Sequence, residues 1–198
     1  LLNQKGGVGK TTVTLGLASA AAAAGRRVLV VDLDPQASSS WVLGVDPDES
    51  DVTIADVLLT RGATAKAAIR PSAWSDLIDV LPSTSGLQEL ESGTSKRLQR
   101  ALDAVESGYE AILMDCPPSL GLLTVNGLVA AEAVLIPVQA EYYALEGLTQ
   151  LLSTVSAVKD RLNPSLRIAG LILTMVDLRT ALARQVEEEI RSHFPALT

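Results

Sequence analysis

Apolar, β-branched runs alternate with helical patterns along the whole chain. The stretches at 26–34 (RRVLVVDLD), 76–83 (DLIDVLPS), 110–118 (EAILMDCPP), 133–139 (AVLIPVQ) and 167–177 (RIAGLILTMVD) each read as a short buried strand ending in a polar or turn residue. Between them, helical spacing covers Lys10–Ala24, Ile54–Thr60, Lys96–Val105, Leu122–Ala131, Ala144–Leu162 and Ala181–His193. Strands this apolar need cover on both faces, and strand–helix alternation supplies it through parallel pairing with right-handed crossovers. The expected fold class is α/β: a doubly wound, mostly parallel sheet with helices on both faces.

Several boundaries carry physical marks. Gly25 follows the alanine-rich helix as a residue free to turn left-handed and stop it, and Arg26 and Arg27 suit the negative end of the helix dipole. Thr53 with Asp56 resembles an N-cap pair. The alanine run reads as a helix packed closely on the sheet. In the last helix Leu182, Val186, Ile190 and Phe194 fall four apart and predict one apolar stripe, with Glu187, Glu188 and Glu189 mostly toward solvent. The stretch Ser83–Ser95 is polar and contains glycine, and predicts a mobile surface loop.

Composition bounds the picture without changing it. At 198 residues, 47% hydrophobic and 20% charged, the chain predicts one globular domain over 1–198. No apolar run approaches the roughly 18 residues a membrane span needs, so a soluble protein with no membrane insertion is expected. The chain opens inside a motif with neither an initiator Met nor a basic leader, so residue 1 reads as a trimmed end with the first strand starting upstream. The single cysteine, Cys116, excludes an internal disulfide and suits a reducing cytoplasm. A net charge of −7 argues against general polyanion binding, which confines any nucleic-acid contact to a local patch.

The candidate chemistry begins at LLNQKGGVGKTT. In the common phosphate-cradling pattern G-x-x-x-x-G-K-[ST], Gln4 stands where the first glycine belongs, and an extra lysine, Lys5, sits inside the loop. Gly6, Gly7 and Gly9, with Val8 between them, remove side chains that would keep backbone N–H groups from wrapping a phosphate chain. The following helix aims its positive N-terminus at the same anions. Lys10 is placed to bridge β- and γ-phosphates, and the hydroxyl of Thr11, followed by Thr12, to ligate Mg²⁺.

The segment K-G-G-V-G-K-T-T resembles the deviant Walker A motif of the ParA/MinD superfamily of P-loop NTPases, whose signature is the early lysine. In that family this lysine reaches across a nucleotide-sandwich dimer to the phosphates held by the other subunit, so the resemblance makes Lys5 a charge supplied in trans. An arginine acting in trans in comparable enzymes is worth about 10³–10⁵ in rate. A lysine, without the bidentate fork, gives less geometric precision.

Two aspartate motifs follow. In VVDLDPQ, Asp32 and Asp34 are two apart near a strand's C-terminal end, where ligands bind in open α/β sheets. Asp-Pro is also ordinary turn chemistry, and the spacing after the phosphate loop is what lifts it. The resemblance assigns Asp32 to the neighbourhood of Mg²⁺ and its waters, Asp34 to orienting the water that attacks the γ-phosphate, and Gln36 to steadying the loop. In ILMDCPPSLG, a second apolar strand delivers Asp115 as an oxygen ligand for Mg²⁺, usually through water, and Pro117 and Pro118 stiffen the next turn. Cys116 reads as a buried small hydrophobe, since one cysteine cannot complete a thiolate site within a chain. Further on, the resemblance places Met175 and Asp177 near the adenine base, while Tyr142 and Tyr143 read equally well as packing on the sheet edge. His193 reads as a surface residue near a helix C-terminus.

The resemblance runs from Asn3 to about Phe194 and implies a ParA-type partition ATPase, catalytic through Lys5, Lys10 and Asp34, with ATP and Mg²⁺ as cofactors. It further implies a homodimer closed around ATP, nonspecific DNA binding, a ParB-like partner that stimulates otherwise slow hydrolysis, and a cytoplasmic, nucleoid-associated protein. Family members usually continue beyond the point where this chain stops, at Thr198, and no basic stripe is visible; Arg161, Arg167, Arg179, Arg184 and Arg191 are DNA-contact candidates by position only. Two alternatives share the fold. A MinD-like membrane- or cargo-positioning switch needs a C-terminal amphipathic helix, and a small-molecule ligase or kinase of the dethiobiotin synthetase kind needs an acceptor pocket.

Overall fold

The computed structural model describes residues 1–60, 62–90, 96–141, 144–177 and 179–194, with no side-chain description for 144–146. In chain order the elements are α1 (Lys10–Ala23), β1 (Val28–Asp32), α2 (Ser38–Val42), α3 (Ile54–Leu59), α4 (Ala65–Ala68), β2 (Arg70–Pro71), β3 (Ile78–Leu81), α5 (Arg97–Asp103), β4 (Ala111–Asp115), α6 (Leu122–Ala130), β5 (Ala133–Gln139), α7 (Ala144–Arg161), β6 (Arg167–Thr174) and α8 (Ala181–His193). The strands group as β2-β3-β1-β4 and as a separate β5-β6 pair, parallel throughout except for the short antiparallel edge strand β2. Between the two groups runs a slot of about 710 Å³ lined on one side by Ile112–Met114 and on the other by Ala133–Leu135. Leu1 and Leu2 stand in it: the Leu2 amide donates to the Leu135 carbonyl at 3.1 Å, and the Leu1 amine donates to the Met114 carbonyl.

Strand β1 shows why helices must cover both faces. All its residues are buried, with Leu29 and Val31 in a core shared with α3, α5, α6, α7 and α8, and Val28 and Val30 in a second core with Leu15 and Ala18 of α1. Alternate side chains of a strand face opposite ways, so a strand apolar at every position is stable only between two layers. Ala18 is fully buried, as expected of an alanine helix lying close on the sheet. Gly25 (φ +76°) ends α1 with its amide donating to the Ala22 carbonyl and that of Arg26 to Ala21, both at 2.9 Å, the paired bonds of a Schellman stop. Thr53 and Asp56 make the capping box of α3, the Thr53 amide donating to the Asp56 carboxylate at 2.8 Å.

At the N-terminal ends of the parallel strands, Arg27 donates to Asp79 at 2.9 Å and lies over the Tyr109 ring at 5.7 Å, while the Tyr109 hydroxyl donates to the same Asp79 oxygen at 2.9 Å. Arg26 pairs with Glu110 at 3.2 Å. These arginines therefore bind strand-end carboxylates, and the expected service to the α1 dipole is secondary.

Several expectations are corrected. Leu182 is exposed, and the buried stripe of α8 is Ala183, Val186 and Ile190, because spacings of three and four trace one face where four alone drifts around the helix. The described part of Ser83–Ser95 is not a free loop: Ser83 and Leu87 are buried, and a 3₁₀ helix spans Ser85–Glu89. The short elements α2, α4 and β2 were beyond what periodicity can register. Tyr142 and Tyr143 lie outside the described residues.

Candidate functional site

The site forms where the loop before α1 meets the C-terminal ends of β1, β4, β5 and β6. Asn3 starts the loop by donating to the Pro137 carbonyl at 2.7 Å and accepting from the Lys5 amide at 2.9 Å. Gln4, in place of the usual glycine, reaches outward and donates to Gln150 of α7 at 3.0 Å. On the far side the Thr174 hydroxyl donates to the Val8 carbonyl at 2.9 Å, tying the loop to the end of β6. Between these anchors Gly7 and Gly9 take φ of +75° and +86°, and among the described residues a Cβ at Gly6 or Gly7 would meet nothing within 4 Å.

Lys10 is buried beneath the loop with its amine donating to the Lys5 carbonyl at 3.1 Å. Burial lowers the pKa of its ammonium, and the nearby charges of Asp115 and Asp34 oppose that shift. One position on, the Thr11 hydroxyl donates to Asp115 Oδ2 at 2.7 Å; Thr12 is exposed. Asp115 Oδ2 also accepts from the Ser39 hydroxyl at 2.6 Å, whereas its buried Oδ1 has no hydrogen-bond partner among the described residues. A buried, unpaired carboxylate oxygen is costly, and beside a threonine hydroxyl it has the donor chemistry of a hard divalent cation site. The open cradle, the buried ammonium and this oxygen together fit a nucleotide with Mg²⁺.

Asp32 and Asp115 are register partners on adjacent strands. Asp32 is fully buried and uses its oxygens within the chain: Oδ1 accepts from the Asp34 amide at 3.1 Å, and Oδ2 from the amide and hydroxyl of Ser40 at 2.9 and 2.8 Å. Burial pushes its pKa up to about 7 against the opposing pull of those Ser40 bonds. Asp34 is partly exposed and accepts the Gln36 amide at 3.0 Å, so the backbone of Gln36, with its side chain exposed, steadies the turn. The chain then enters α2 through Ala37 at φ +54°. Left-handed backbone at a residue with a Cβ is costly and persists only where its surroundings impose it.

The Lys5 ammonium forms an ion pair with Glu141, just past β5. Met175 is left-handed (φ +53°) and 63% exposed beyond β6, and both carboxylate oxygens of Asp177 accept from Arg179, at 2.8 and 2.7 Å. Met175 is thus free to meet a ligand, while Asp177 is engaged. The structure therefore brings Lys10, Thr11, Asp32, Asp34 and Asp115 together beside the glycine loop, with Lys5 paired to Glu141, Thr12 and Met175 exposed, and Asp177 paired to Arg179.

Cys116 is buried in the main core with its thiol pKa pushed up by burial, and no group of three His, Cys, Asp or Glu among the described residues is placed to hold a metal. His193 is exposed, its Nδ1 2.8 Å from the Glu189 carbonyl in the last turn of α8. Of the arginine candidates, Arg179 and Arg191 pair with Asp177 and Glu187, and Arg161, Arg167 and Arg184 are exposed. Motif reading missed Ser39, Ser40, Ser83, Thr174 and Glu141. The run Ala37–Ser40 after Asp-Pro-Gln was the available signal, since small hydroxyl residues after a turn commonly bond nearby backbone and carboxylates.

Known proteins share this sequence pattern and fold. A family profile described as an AAA domain matches residues 1–168. The chromosome partitioning protein ParA of Caulobacter vibrioides is 45% identical over 202 residues, covering 98% of this chain and 75% of that protein. The sporulation initiation inhibitor protein Soj of Bacillus subtilis is 47% identical over 200 residues, covering 98% and 78%. Among solved structures, cobyrinic acid a,c-diamide synthase from Mycobacterium smegmatis with bound ADP and magnesium superposes with a TM-score of 0.89 at 38% identity, covering 96% of this chain and 79% of that one.

Proposed function

Because this chain belongs to the ParA/Soj family of partition ATPases and has their P-loop fold, we propose that it binds ATP with Mg²⁺ and hydrolyses it as the timer of a DNA partition cycle. The observation that carries the reading is the Thr11–Asp115 pair, with Asp115 Oδ1 unpaired, and the Cβ positions of Gly6 and Gly7 unobstructed, among the described residues. Backbone N–H groups of Gly6–Thr11 and the Lys10 ammonium would hold the phosphates, and Thr11 with Asp115 the metal. Bound Mg²⁺ supplies charge neutralisation on the transferred phosphoryl group. Asp34, at the mouth of the site, positions the attacking water, and Asp32 supports it through the Asp34 amide.

Lys5 is the residue we assign to the second subunit's phosphates, which makes nucleotide binding and homodimer formation one coupled event. The dimer would bind DNA nonspecifically and release it after hydrolysis stimulated by a ParB-like partner, in the cytoplasm on the nucleoid, with residues 1–198 acting as one ATPase domain. No helix among the described residues is long and apolar enough to cross a membrane. A second reading, ATP-dependent synthesis on a small-molecule acid, draws on the name of the M. smegmatis neighbour. Turnover that needs no small-molecule acceptor favours the first reading.

The test combines ATP turnover, nucleotide titration and size-exclusion chromatography with and without duplex DNA. Lys10→Ala should abolish nucleotide binding. Lys5→Ala should keep most of it and lose the dimer, and Asp34→Ala should accumulate an ATP-bound dimer. Equal loss of ATP affinity in both lysine variants would remove the role given to Lys5, and Asp34→Ala remaining monomeric in ATP would remove the coupled cycle.

A further inference from the structure

Behind the carboxylates lies a closed ring of hydrogen bonds that includes a residue outside every motif. Ser83, two positions past the end of β3, is fully buried; its amide donates to Ser40 Oγ at 3.1 Å and its hydroxyl to the Asp34 carbonyl at 2.6 Å. Ser40 donates in turn to Asp32 Oδ2, and the Asp34 amide donates to Asp32 Oδ1. The ring therefore runs Asp32, Ser40, Ser83, Asp34 and back to Asp32. Asp34 is held by its N–H on one side and by its C=O on the other, so its backbone is fixed, while its carboxylate accepts from the Gln36 amide close enough to Lys10 for its charge to act on that ammonium.

We propose that Ser83 is a positioning residue for hydrolysis: through Ser40 and the Asp34 carbonyl it sets where the Asp34 carboxylate stands. This rests on the assignment of Asp34 to the attacking water. A serine needed only for folding would have served β3 or its own turn, yet these hydrogen bonds of Ser83 both go to the segment 34–40. Networks in a low-dielectric interior hold geometry more firmly than the same bonds in water. A misplacement of about 1 Å at a reacting group is enough to cost roughly 100-fold in rate.

The experiment uses the full chain with Ser83→Ala and Ser83→Cys, the latter keeping similar volume with a weaker donor. Steady-state ATP turnover, affinity for a fluorescent ADP, and amide hydrogen exchange over residues 34–40 without nucleotide are measured together. In Ser83→Ala, exchange at 34–40 should rise by about twofold to tenfold, the range one neutral hydrogen bond supports. The kcat should fall by about tenfold with KM and ADP affinity within about twofold, and Ser83→Cys should lie between Ala and wild type. Unchanged exchange, unchanged kcat, or ADP affinity falling in step with kcat would each overturn the proposal. If wild type itself turns over no ATP, the ATPase reading falls, and the proposed action of Ser83 on hydrolysis falls with it whatever the exchange shows. If Ser83→Ala does not fold, Ser83→Cys decides by the same readouts.

Discussion

The Lys5 ammonium is paired with the Glu141 carboxylate at the rim of the glycine loop, each side chain about half exposed at 51% and 48%. The lysine that defines the motif is therefore parked on its own chain, by a contact weak enough to exchange for a phosphate. Exposed ion pairs contribute about 0.2–1 kcal/mol. Glu141→Gln should accordingly leave ADP affinity unchanged and raise the ATP-dependent dimer association constant by up to about 30-fold, about fivefold from each of the two lysines released. Sedimentation equilibrium in ATP reads this directly, and an unshifted dimer population would assign Glu141 no part in holding Lys5.

Asp32 makes stability depend on pH with a definite sign. Its folded pKa, about 7, lies above the ordinary value of 3.8, so the native state binds the proton more tightly than the unfolded chain does. Asp32's contribution to stability is fully present below about pH 4, is lost as pH rises toward about 7, and is level above that. Between pH 5 and pH 8 this amounts to about 2–3 kcal/mol of lost stability. Urea denaturation of the nucleotide-free chain should show that loss in wild type and a flatter profile in Asp32→Asn. Parallel pH profiles for the two proteins would contradict it.

Gly44 closes α2 at φ +77°, and a Cβ there would stand 2.5 Å from the Cβ of Ala73, whose amide donates to the Leu43 carbonyl at 2.8 Å. Neither partner is a flexible side-chain end, so the backbone must give. Gly44→Ala should cost about 1–3 kcal/mol and lower Tm by several degrees. Calorimetry checks it, and an unchanged Tm would show that the 41–44 and 72–75 segments separate freely.

The phosphate loop and both aspartate strands were legible in the sequence because each is a local signal: glycine spacing, and apolar runs ending in Asp. The layered α/β fold was legible for the same reason, since Leu29 and Val31 alternate with Val28 and Val30 in a strand apolar at every position. What could not be read depends on contacts between distant residues. Ser83 meets Asp34 across 49 positions and Glu141 meets Lys5 across 136, and neither serine nor glutamate carries a pattern that announces its partner. Leu182 departs from the stripe because a step of four tracks a helix face for only a turn or two, and the described part of Ser83–Ser95 departs from a free loop because Ser83, though polar, is buried with its hydroxyl bonded to the Asp34 carbonyl.

The knot of Arg27, Asp79 and Tyr109 fastens the strand starts with charges that already satisfy one another. The opposite rim of the same sheet is left electrically unfinished at Asp115. Endurance and chemistry are thereby assigned to opposite poles of one scaffold: an engineer seeking a hardier protein should work among the strand beginnings, where alterations stay remote from turnover, and leave the far pole its incompleteness, which is what gives a ligand something to complete.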